Sequence, residues 1–100
     1  MQSKFEQSKP RLSSQVAIIK ALGHPTRLFI VEELANGPRC VQELTQMIGV
    51  EMPTVSRHLL QLKAVGILED EKKGNKVFYK LKTTCVLNFF KCVNAVAASR

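Results

Sequence analysis

Between Val41 and Leu81 the spacing of apolar residues changes once, at Gly66, and that change limits the chain to very few folds. Before it lie two short runs at helical spacing. Val41, Leu44 and Ile48 mark the first, Gly49-Val50 forms a turn, and Val55, Leu59 and Leu62 mark the second. Two short helices joined by a tight turn containing Gly make a helix-turn-helix. Pro53 falls in the first turn of the second helix, where its missing N–H is harmless. After Gly66 the pattern becomes strand-like. Ile67-Leu68 leads into Glu69-Asp70-Glu71-Lys72, Val77-Phe78-Tyr79-Lys80-Leu81 is the partner strand, and Lys73-Gly74-Asn75-Lys76 lies between them. Gly and Asn accept the positive φ of a hairpin loop. A lone hairpin is marginal in water, so this one must lean on the helices.

Helical patterns flank this centre on both sides. Leu12, Val16, Ile19 and Leu22 share one face until Gly23 stops the run, and His24-Pro25 opens a helix carrying Leu28, Val31, Leu34 and Ala35. Asn36-Gly37-Pro38 ends that one. The last segment, Thr83 to Ser99, reads as a helix with Thr83 or Thr84 as N-cap. Its apolar residues form two adjacent stripes: Cys85, Phe89, Cys92 and Val96, then Val86, Phe90, Val93 and Ala97. A helix this apolar cannot hide itself within one small chain, so the first and last helices are expected to join two copies. The expected architecture is mainly α with a small β-hairpin: a winged helix-turn-helix of four helices, two strands and a fifth helix, assembled as a homodimer. Residues 1–10 are expected to be a flexible basic arm. Residues 11–100 form the single domain, with dimerisation helices at about 12–22 and 83–99.

Charge narrows the partner. Lys and Arg outnumber Asp and Glu by 15 to 8, a formal charge of +7 in 100 residues. Such an excess suits a polyanion, and double-stranded DNA is the commonest available. No run of about 18 apolar residues is present to span a membrane. Met1 to Arg11 is polar and basic without the apolar stretch of a secretory signal, so a cytoplasmic protein is expected. No Ser-His-Asp set, phosphate-binding loop or metalloprotease motif appears, which argues against an enzyme. DNA binding is expected to need no cofactor.

The run Ala21-Leu22-Gly23-His24-Pro25-Thr26-Arg27-Leu28 resembles the helix-opening signature of the ArsR/SmtB family of metalloregulatory repressors. The segment Val55-Ser56-Arg57-His58-Leu59 and the wing end Val77-Phe78-Tyr79 resemble that family too, in the same order. The resemblance implies a homodimer held by its first and last helices, bound to an inverted repeat at a promoter and released by an inducer.

Candidate DNA contacts follow from the second helix of the motif. With Val55, Leu59 and Leu62 facing the core, the opposite face carries Thr54, Arg57, His58 and Gln61. Arg57 is a bidentate donor suited to guanine O6 and N7. The family reads DNA from the N-terminal half of this helix, which adds Met52 and Ser56. The chain departs from the family at Glu51-Met52-Pro53: Pro53 lacks a donor, and Glu51 would repel phosphate unless it caps the helix. Lys72, Lys73 and Lys76 on the wing are expected at phosphate or in the minor groove.

Three cysteines, Cys40, Cys85 and Cys92, are candidate inducer ligands. The last helix has no His, Asp or Glu, which excludes the zinc site that some family members build there. A second family site uses Cys-x-Cys at the start of the third helix; here Cys40 matches the first position and Gln42 stands at the second. Cys85 and Cys92 share a helix face about 10 Å apart along the axis, too far for one ion or an intrahelical disulfide unless the helix start unwinds. A soft metal or metalloid such as arsenite, an organoarsenical, a disulfide or persulfide switch, and plain packing all fit these residues. The functional expectation is a repressor released by a thiol-reactive inducer, with a redox sensor or an inducer-free winged-helix regulator or interaction module as alternatives.

Overall fold

A computed structural model describes all residues, 1–100. The elements run α1 (Lys4–Leu22), α2 (Pro25–Leu34), β1 (Arg39–Cys40), α3 (Val41–Ile48), α4 (Met52–Ala64), β2 (Leu68–Lys73), β3 (Lys76–Leu81) and α5 (Val86–Ala98). This is the winged helix-turn-helix expected, with one strand more than the sequence pattern revealed. β1 pairs antiparallel with β3, Arg39 opposite Tyr79 and Cys40 opposite Phe78, so the sheet runs β1-β3-β2. Two residues are too few to show alternation, and the strand exists only because β3 supplies its partner.

The core is built around α4. Val55, Leu59 and Leu62 are fully buried, packed with Ile30 and Val31 of α2, Leu44 of α3 and Leu68 of β2. No polar residue is buried among them. Gly49 ends α3 in the left-handed region, φ 83°, and its N–H donates to the Thr45 carbonyl at 2.9 Å. That conformation suits glycine. In the wing only Gly74 takes positive φ, at 65°, which is what a two-residue type II′ turn demands of its first central residue.

Two boundaries differ from expectation. Helix α1 begins at Lys4, so residues 4–10 are helical rather than an arm. Ser3 caps it by accepting from the Glu6 N–H at 3.1 Å. Pro10 lies inside the helix and removes one backbone donor without ending it. At the other end α5 starts at Val86, with Cys85 and not a threonine as N-cap. Thr83 instead donates its hydroxyl to the Gly66 carbonyl at 3.4 Å, tying the chain entering α5 to the end of α4.

Only Phe90 of α5 is buried; Phe89, Val93 and Val96 stand open, as do Val16, Ile18 and Ile19 of α1. Between the two helices and the α4–β2 junction lies an apolar groove of about 380 Å³ lined by Ile18, Ile19, Leu22, Ile67, Val86 and Phe89, among others.

Candidate nucleic-acid interface

Helix α4 is presented by the α3–Gly49–α4 turn with its apolar stripe inward, which turns Arg57 and Gln61 outward into solvent. Thr54 and Ser56 are half-buried beside them, and Met52 is exposed at the first turn. Arg57 belongs to none of the chain's ion pairs, so its guanidinium is available to an outside acceptor. Glu51 is the N-cap residue, but its side chain makes no capping bond; its backbone carbonyl accepts from the Thr54 N–H at 3.1 Å. With Pro53 in the first turn and a carboxylate before it, this helix start is a poor anion site. Arg57 and Gln61, exposed polar side chains of α4, lie further along the helix.

His58 behaves differently from its sequence neighbours. Its ring is half-buried against α2: Nδ1 accepts from Arg27 Nε at 3.0 Å, and the ring stacks at a tilt on His24, 4.6 Å between centroids. Burial pushes its pKa below the usual 6.5, helped by the nearby His24, Arg27 and Arg57. The spacing that placed His58 on the outward face with Thr54 and Gln61 did not register that α2 crosses there. His24 is the N-cap of α2, where its Nδ1 accepts from the Thr26 N–H at 3.1 Å. The sequence reading did not single out Arg27 as a site residue. Its only signal was its place in the His24-Pro25-Thr26-Arg27 run.

The wing sorts its charges along its length. At the base, Asp70 pairs with Lys63 of α4 at 2.9 Å and Glu69 with Lys80 at 3.3 Å. The hydrogen bond from Lys63 to Asp70 raises the lysine's pKa. At the tip, Lys72, Lys73 and Lys76 are exposed and unpaired by any carboxylate, with Lys73 Nζ 5.9 Å from the Phe78 ring centre. Glu71, also exposed, is the one acid left unpaired beside them.

The cysteines are dispersed. Cys40 is buried at the start of α3, where its backbone N–H donates to Glu43 Oε1 at 3.0 Å and holds that carboxyl below its ordinary pKa. Cys85 and Cys92 are exposed, Cys85 on the rim of the α1–α5 groove. No three of the chain's His, Cys, Asp or Glu residues gather to hold a metal ion. A three-thiolate site within one chain, Cys40 joining the α5 pair, is therefore not assembled.

A helix-turn-helix with a basic hairpin beside its exposed second helix defines the class of winged helix-turn-helix regulators. The arsR family of bacterial regulatory proteins matches residues 24–70. The transcriptional repressor SmtB of Mycobacterium tuberculosis is 39% identical over 79 residues, 77% of this chain and 58% of its own length. The chain thus spans little more than half of that relative. A helix-turn-helix regulator of Methanocaldococcus jannaschii is 40% identical over 78 residues, 77% of this chain and 88% of its own. The homodimeric winged helix-turn-helix DNA-binding domain of a Mycobacterium bovis protein superposes with TM-score 0.83 at 28% identity, covering 100% of this chain and 93% of that one. The chain belongs to the ArsR family of bacterial regulatory proteins. No helix is long and apolar enough to cross a membrane.

Proposed function

We propose that the chain acts in the cytoplasm as a homodimeric repressor that binds an inverted-repeat operator and leaves it when a thiol-reactive inducer reaches α5. The observation that carries the DNA reading is the unpaired Arg57 on α4 beside the unpaired lysines of the wing tip. A side chain that reads bases and others that meet phosphate are the two components of a DNA interface. The mycobacterial homodimer of the same fold supports the pairing of two copies, and the open apolar faces of α1 and α5 supply a surface for it. The test is selection of bound duplexes from a random pool by the full chain, with its mass measured by light scattering. A two-fold repeat bound by a dimer is expected; a monomer, or a pool with no enriched sequence, overturns the reading.

For the inducer, the supporting facts are the exposure of Cys85 and Cys92 and the absence of harder ligands from α5. Soft thiolates favour arsenite, organoarsenicals and similar ions. In one chain these residues provide two open thiols on one helix, so a site of higher coordination would draw on the partner copy. Thiol oxidation or persulfidation uses the same two sulfurs.

A further inference from the structure

We infer that Arg27 and His58 form a joint that fixes the pose of α4 against the end of α1, making both of them positioning residues for DNA reading. The inference rests on the DNA-reading role proposed for α4. It begins with a vacancy in the backbone. In a continuing helix the Ala21 carbonyl would accept from residue 25, but residue 25 is Pro and has no N–H. Arg27 fills that place, its Nη1 donating to the Ala21 oxygen at 3.1 Å. The same guanidinium donates from Nε to His58 Nδ1 at 3.0 Å. One rigid, planar donor thus clamps the last turn of α1 and the middle of α4 at once, a geometry a lysine cannot reproduce. His58 lies one residue from Arg57, so any turn of α4 that breaks the clamp also re-aims the side chain proposed to read a base.

The clamp has a protonation requirement. Nδ1 of His58 must present a lone pair, which leaves the ring's proton on Nε2. A proton added at Nδ1 would set N–H against N–H and place a second cation beside Arg27. The titratable and charged groups facing the ring are His24 and Arg27 from α2 and Arg57 from its own helix; none is an acid. Well above pH 6.5, the ordinary value, the ring is neutral whether or not α4 is docked. As pH falls below it, the undocked ring takes up the proton first. Docking weakens progressively until the depressed pKa of the docked ring is passed.

The experiment compares the parent, His58→Asn, His58→Leu and Arg27→Gln. The probes are a duplex selected from a random pool by the parent and a random duplex of equal length. Asn keeps an acceptor near the Nδ1 position and does not titrate. The parent should lose its preference for the selected duplex between neutral pH and about pH 5.5, while His58→Asn keeps that preference throughout. His58→Leu and Arg27→Gln should lose it at neutral pH on the order of tenfold, the scale of a lost hydrogen bond to a charged group. Their helical circular dichroism and unfolding temperature, measured alongside, should show folded protein. Preference retained in His58→Leu, or an acid loss undiminished in His58→Asn, overturns the joint alone. A folded parent without preference for any duplex overturns the DNA reading and the joint with it.

Discussion

Arg57 and the wing lysines can be separated by the kind of loss each produces. Arg57→Ala is expected to weaken binding to the selected repeat by about 1–3 kcal/mol and to relax choice at one base position. Lys73→Ala and Lys76→Ala should instead weaken all duplexes alike and flatten the dependence of binding on salt. Titrations on specific and random duplexes at two or more salt concentrations distinguish the outcomes. An equal loss on both duplexes in Arg57→Ala would assign that residue to phosphate. Within the core, Leu59 is fully buried. Leu59→Ala should therefore lower stability by about 2–5 kcal/mol, read by denaturant unfolding.

The elements differ in how far each could be read from the sequence. The α4 stripe was fully legible, because Val55, Leu59 and Leu62 repeat at helical spacing and all three are buried. The hairpin was legible from Gly74 and the change of period. The start of α1 was not: Pro10 looks like a boundary, and nothing local reveals that Ser3 caps a helix running through it. Nor was β1, a two-residue strand that only a distant partner defines. The inward turn of His58 depends on where α2 crosses, which spacing along α4 alone does not contain. α5 makes the clearest prediction at this scale. Phe89 and Val93 are exposed while Phe90 is buried, so Phe89→Glu or Val93→Glu should leave the fold intact and break the dimer. Sedimentation should then show folded monomer; a Phe89→Glu dimer that still binds its duplex would show that the seam lies elsewhere.

At the scale of the whole molecule, the two α4 helices of a dimer must match successive major grooves, about 34–36 Å apart. Under the proposed function, chemistry at α5 would empty an operator by a small rotation of one copy against the other, with a coupling of only a few kcal/mol. Arsenite and polysulfide should release the parent from its duplex, and Cys85→Ser and Cys92→Ser should each blunt that release. Cys40→Ser should leave it largely unchanged, because the sulfur is buried, whereas Cys85 and Cys92 are exposed. Release unaltered in all three variants, followed by fluorescence anisotropy of a labelled duplex, would make the cysteines packing residues.

The sheet order β1-β3-β2 also bears on how this chain stays out of unwanted company. A sheet's outer strands are templates for adding further strands, and so for fibres. Here one margin is only two residues long, and the other reads Leu68-Glu69-Asp70-Glu71-Lys72-Lys73, charged at every position but the first. An incoming strand at the first finds too few partners and at the second meets a row of five charged side chains. Self-association is thereby steered away from the backbone margins and left to the exposed apolar faces of α1 and α5.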